Sequence, residues 1–308
     1  MEYYGEMLAF FVAFSWSASC VVFEYSSKHI GSATVNFYKL ILSFVAIGIY
    51  MLFVTGSFLP LCGGMEAWLW ILGSGLAGFM ICDLAMFSAY VLIGARYTQL
   101  IMTVYPFFAA LSAWLIIGES LPPLSAVGMV VAVSGVAITL FKRSKNSSTS
   151  LNIPLKGVIL VLIAAVGQGL GFVLSKKGML EYEAPEELGE QAKDLIPIAA
   201  TQIRILAGLV GVALTLVLSR RLHLLKEAFG NHKALGMMSI GVIVGPLLGV
   251  ICSLYALQYA NAGVVSTIIA TQPIILTLYD IIVCKKKVAP REVVGAFIAV
   301  IGVSLFFV

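Results

Sequence analysis

LIIGESLPPLSAVG, Leu115–Gly128, falls into register with IVCKKKVAPREVVG, Ile282–Gly295, without a gap, at an offset of 167 residues. Pro123 meets Pro290, Val127 meets Val294 and Gly128 meets Gly295, while Gly118-Glu119-Ser120 meets Lys285-Lys286-Lys287. A duplicated unit has kept its proline and glycine and exchanged an acidic turn for three lysines. Extended outward, Gly94–Leu140 against Asn261–Phe307 gives 11 identities in 47 positions, among them two prolines and two glycines. Apolar composition alone produces some identities, so the Pro and Gly matches carry the argument.

The medium explains the swap. The chain has 308 residues, 60% of them hydrophobic and 11% charged, with mean hydropathy +1.02. A soluble domain carries about a quarter charged residues, and no soluble core of this length hides so much apolar surface. Lipid admits helices or closed barrels. The apolar runs are long and lack period-2 alternation, so they read as helices. A helical span takes ~20 residues. Ten fit, at roughly 6–26, 33–54, 67–92, 96–117, 121–141, 156–176, 196–219, 234–258, 262–284 and 289–308. The expected fold is therefore an all-α membrane protein of ten transmembrane helices in two inverted five-helix repeats. The first repeat covers 1–141, a basic linker 142–155, and the second repeat 156–308, with an acidic loop at 178–195.

Five spans per copy is an odd number, so the second copy enters the membrane upside down. Three Lys/Arg residues fall on the side of the termini (Lys176, Lys177, Lys193), against 14 on the other, including Arg220, Arg221 and Lys285 to Lys287. Cytoplasmic loops carry the excess of Lys and Arg. That count places both termini outside and explains the exchange of Glu119 for lysine: packing residues persist, while charges follow the side. The first segment lacks the basic start of a signal peptide. Cys20, Cys62, Cys82, Cys252 and Cys284 have no metal-ligand spacing, and no His-Glu metal motif or Gly-x-Ser-x-Gly elbow occurs. Neither a metal nor a cofactor is expected.

Inverted repeats place a substrate site near the midplane, where helices are interrupted. Pro106 and Pro273 lie at the centres of spans 4 and 9. Each lacks an N–H and crowds the carbonyl four residues back, so both read as hinges. Thr103, Tyr105, Thr271 and Gln272 beside them are candidate lining residues, as are Trp16 and Gln168 at equivalent central positions of spans 1 and 6. Charges inside lipid cost roughly 2.5–3.5 kcal/mol on insertion scales. Lys39 and Asp83 lie at equal depth and have opposite sign, which makes them either a structural ion pair or a coupling pair. Arg204 has no carboxylate at its depth along the spans and is a substrate anchor, a residue reaching for the outer interface or a partner of the acidic loop. Asp280 and Glu24, near span ends, read as solvated at the interface. The stripes Gly128-Ala132-Gly135 and Gly295-Ala299-Gly302 read as packing surfaces, within the bundle or between two copies.

The five-plus-five repeat, FSWSAS in span 1, a cation early in spans 2 and 7, the mid-span prolines and the small-residue helices AVGMVVAVSGVAI and VVGAFIAVIGVSL together resemble the drug/metabolite transporter superfamily. The match is to its ten-helix branch with two EamA-type domains. The resemblance covers the whole chain. It implies a solute carrier that exports an amino acid or another small polar metabolite by alternating access. It also implies residence in the cell membrane, as in the inner membrane of a bacterium. A drug or nucleotide-sugar carrier of the same superfamily is the alternative. Small multidrug relatives use a span 1 carboxylate for proton antiport; span 1 here has no central carboxylate, so that scheme does not carry over. The expected partners are a small-molecule substrate and the lipid bilayer, with a coupling proton or other ion and a homodimer left open, and no nucleic acid. An intramembrane aspartyl protease is a remote rival: Tyr279-Asp280 fits one of its motifs, but Asp83 follows Met80-Ile81-Cys82 instead of Gly-x-Gly.

Overall fold

The computed structural model describes residues 3–60, 63–118, 123–143, 149–151, 153–182, 191–249, 252, 253, 256 and 268–306. The turn at 119–122, the centre of the acidic loop at 183–190 and much of the junction between spans 8 and 9 lie outside the described residues. In chain order the helices are α1 (Tyr4–Ile30), α2 (Ser32–Thr55), α3 (Gly64–Gly75), a π segment Leu76–Cys82, α4 (Asp83–Met102), α5 (Tyr105–Ile117) and α6 (Pro123–Leu140). They continue with α7 (Leu155–Leu180), α8 (Gln191–Leu218), α9 (His223–Ala228), α10 (His232–Val242), a second π segment Ile243–Gly249, α11 (Gln272–Ile282) and α12 (Pro290–Phe306). Two short strands, β1 (Phe141–Arg143) and β2 (Thr149–Leu151), pair antiparallel within the segment expected to be a plain linker. The short helix α9 was not expected, and α8 begins before the expected 196.

Tyr4–Ile30, Ser32–Thr55, Gly64–Met102, Leu155–Leu180, Leu195–Leu218 and His232–Gly249 are each long and apolar enough to cross a membrane, and Tyr105–Ile117, Val127–Leu140 and Gln272–Ile282 are shorter apolar helices. Phe53, Leu69, Val130, Val210 and Leu218 point out of the bundle, the direction of lipid tails. The molecule is a membrane-embedded, multi-pass helical protein.

The long helical run Gly64–Met102 is two arms. Gly94 breaks it with φ 79° and ψ 164°, a backbone setting open to glycine and strained for other residues. Glu24 of α1 closes the break: its Oε2 accepts the Ala95 N–H at 2.7 Å, as a helix cap does. Span 4 is also divided. After Met102 the chain turns through Thr103 and Val104 and restarts as α5, with Pro106 in its first turn, where a missing N–H costs nothing. The same happens at the 167-residue offset. The Val104 N–H donates to Ile101 O and the Phe107 N–H to Val104 O; Thr271 to Ile268 and Ile274 to Thr271 repeat the pattern. The two π segments also fall on one another at this offset.

α1 packs on α10, the second π segment and α11, and α7 packs on α3, the first π segment, α4 and α5. The glycine stripes are used within the bundle. A methyl group on Gly135 would lie 2.6 Å from Gly295 O, and one on Gly302 would lie 2.6 Å from Gly128 O. Gly128 therefore meets Gly302 and Gly135 meets Gly295, so α6 and α12 run antiparallel with backbones in direct contact.

Gly302→Leu forces these backbones apart and should cost 1–3 kcal/mol, the usual range for overpacking, or more. It should lower the thermal unfolding midpoint in detergent. Gly236→Ala in α10, where nothing lies within 4 Å of the added methyl, should leave the midpoint unchanged or raise it.

Candidate functional site

A π turn widens the helix and leaves carbonyls without their usual partners. In lipid, other side chains must take them up. The first π segment has its Phe79 carbonyl capped by Asn36 Nδ2 of α2 at 2.8 Å. In the second, Ser15 Oγ donates to Val244 O and Trp16 Nε1 donates to Gly245 O at 3.3 Å. The Trp16 indole fills the space above Gly249, where an added methyl would lie 2.1 Å from Nε1. Gln168 occupies the matching place on α7, its Oε1 accepting the Cys82 S–H at 3.3 Å. Trp16 and Gln168 thus dock equivalently, each on a different π segment.

Around the first π segment lie the intramembrane charges. Lys39 Nζ and Asp83 Oδ2 form a close ion pair, with side chains 7% and 9% exposed. The equal-depth reading of the sequence is correct in joining α2 to the start of α4. The Lys39 ammonium also sits 5.2 Å from the Phe87 ring centroid and 5.4 Å from that of Phe79. Arg204 of α8 approaches the same Phe79 ring, its Cζ 4.7 Å from the centroid. Its guanidinium is therefore packed against that ring, and no Arg204 ion pair forms among the described residues. Arg204 Nε is buried without a hydrogen-bond partner, as are Asn36 Oδ1 and Ser43 Oγ. Gly75 and Gly208 make the approach possible. A methyl on Gly75 would lie 2.2 Å from Arg204 O, and one on Gly208 would lie 2.6 Å from Phe79 Cβ.

The proline regions satisfy themselves locally. Thr103 Oγ1 donates to Leu100 O and Thr271 Oγ1 to Ile268 O, each at 2.6 Å. The hydroxyls therefore serve the carbonyl three residues back, one turn before the prolines, instead of the carbonyls of Met102 and Ile269 nearest the rings. Tyr105 packs its ring against Phe172 at 5.8 Å, and Gln272 is half-buried at the start of α11. Thr103 and Pro106 line a small cavity with Gly128, Met129 and Gly302. Pro273 lines another with Arg96, Tyr97 and Glu292.

Asp280 and Glu24 depart from the solvated reading. Asp280 is 8% exposed and lies 3.1 Å from Arg96 Nε. Glu24 caps Ala95 and pairs with Lys28. Lys286 donates to Asp280 Oδ1 at 2.9 Å, and this bond holds the Lys286 ammonium above its ordinary pKa. Sequence reading also missed Gln99, whose Nε2 donates to Tyr90 OH at 2.7 Å beside Cys20. Its signal was an amide within an apolar run. The two aspartates of the protease reading sit in separate ion pairs and do not face each other as a catalytic dyad.

The EamA-like transporter family matches the chain twice, over residues 3–141 and 155–308. A solved structure described as "Crystal structure of protein" is similar at 17% identity with a TM-score of 0.54, covering 99% of this chain and 98% of its own. That likeness is one of fold. No curated protein matches the chain.

Breaking a buried pair costs about 3–5 kcal/mol, because the remaining charge stays in the core. Lys39→Met and Asp83→Asn should each lower the thermal unfolding midpoint strongly, while the double variant should recover much of the loss. Simple addition of the two effects in such a cycle would show that the residues do not act as a unit.

Proposed function

The chain belongs to the EamA-like transporter family, which matches both of its halves, and from that premise we propose a secondary carrier that exports a small polar metabolite such as an amino acid by alternating access. As a member of this family it is a membrane transporter of the drug/metabolite superfamily and not an enzyme. The proposal adds ten spans in two inverted five-helix repeats, divided at the 142–155 segment, in a cell membrane with both termini outside. Inversion is supported by the coincident π segments, the repeated proline turns and the antiparallel meeting of Gly128 with Gly302 and Gly135 with Gly295.

The observation that carries the substrate reading is the pair of cations at the Phe79 ring. Lys39 is matched by Asp83, but Arg204 keeps an unpartnered Nε inside the bundle. A guanidinium does not deprotonate in proteins, so a buried one calls for an anionic partner. A solute carboxylate satisfies it, with the Phe79 face and the Asn36 amide beside it. Trp16, Gln168, Thr103, Tyr105, Thr271 and Gln272 would line the path above and below this point. Pro106 and Pro273 would act as its hinges, and Lys39–Asp83 as the pair that responds to occupancy or to a coupling proton. A drug or nucleotide-sugar carrier is the second reading.

Counterflow in proteoliposomes against a metabolite panel tests the proposal. Saturable exchange of one carboxylate-bearing compound is expected. Arg204→Gln should reduce that exchange at least tenfold, with Arg204→Lys retaining part of it. Full exchange of the anionic solute by either variant would remove Arg204 from the site.

A further inference from the structure

One cluster of charges plays no part in the central site. Arg96, just after the Gly94 break in α4, reaches two carboxylates of the second half. Its Nη1 lies 3.0 Å from Glu292 Oε2 of α12, and its Nε lies 3.1 Å from Asp280 Oδ2 of α11, the Nε–H not pointing along that second line. Its guanidinium also covers the Tyr97 ring at 4.5 Å. Lys286 closes the far side of Asp280. Glu24, paired with Lys28, fixes the backbone from which Arg96 projects. The side chains of Arg96, Asp280 and Glu292 are only 14%, 11% and 7% exposed. Three cations and three carboxylates thus tie α1, α4, α11 and α12 together at the face that carries the basic loops.

The other copy has no equivalent. At the 167-residue offset Asp280 corresponds to Ala113, Glu292 to Ser125, and Arg96 to Gly263. Two identical copies related by inversion would give equal energies to the states open on either face. Among the described residues the largely buried trio of Arg96, Asp280 and Glu292 has no counterpart at the other face, which removes that equality. It adds stability only while α4, α11 and α12 remain together.

We propose that Arg96, Asp280 and Glu292 form a latch that closes the basic-loop face and makes the state shut at that face the resting one. Opening there requires Arg96 to leave both carboxylates at once. The closed latch also shields the interior immediately behind it. Gln99, one helical turn beyond Arg96, holds Cys20 Sγ at 3.2 Å, and Cys20 is buried. Cys284, on the loop beside Lys286, is exposed.

These native thiols supply the test. Full-length protein in oriented membrane vesicles is treated from the basic-loop face with a membrane-impermeant methanethiosulfonate, and modification of each cysteine is read by peptide mass spectrometry. Cys284 should react quickly in every variant, which reports reagent access to that face, and Cys20 slowly in the unaltered protein. Asp280→Asn and Glu292→Gln should each speed Cys20 modification from that face at least tenfold, with little change from the other. An unchanged Cys20 rate in both single variants overturns the latch. So does an equal rise from both faces accompanied by modification of Cys82, since that marks a loosened bundle. The readout is thiol access and not transport, so the latch stands or falls apart from the identity of the solute.

Discussion

A carbonyl left open inside lipid finds no water, and the molecule is arranged around that fact. Two π segments and two proline turns open the backbone where a plain helix would have closed it. The π segments are answered by side chains of another helix, and the hydroxyls before the prolines bond carbonyls of their own helices. Asn36 serves Phe79, Ser15 and Trp16 serve the second π segment, and Thr103 and Thr271 serve their own helices. Most of these partners come from a different helix. The interruptions therefore fix which spans are neighbours: α1 is committed to the second π segment, and α2 and α7 to the first.

Close backbone approach follows from the same arrangement. Gly75 and Gly208 bring α8 against the first π segment, and this contact sets Arg204 over the ring that also receives Lys39. One aromatic ring receives two cations, and one of them is paired with a carboxylate. Asp83 is committed to Lys39. The polar centre and the helix packing are parts of one construction.

Much of this was legible in the sequence. Length of apolar run gives the helices, because lipid thickness fixes how long a span must be. Opposite charges at equal depth give Lys39–Asp83, because an unpaired charge there is costly. The offset Pro and Gly matches give the proline turns, and they mark the α6 and α12 stripes as packing surfaces without choosing between the bundle and a second copy. The π segments were not legible: they leave no periodic signature, and the stretch around Phe79 reads as ordinary apolar helix. Asp280 read as solvated at the interface because its partner, Arg96, lies far away in the chain. Trp16 and Gln168 were correctly seen as equivalents, but equivalence did not reveal that each docks on a different π segment.

The α6–α12 seam has a consequence for how the chain is joined. Its contacts join the small-residue stripe of one half to the same stripe of the other, crosswise, with backbones in direct contact. Such a seam owes nothing to the peptide connection between the halves. Two polypeptides made separately, one carrying each stripe, would still present this seam to each other in the bilayer.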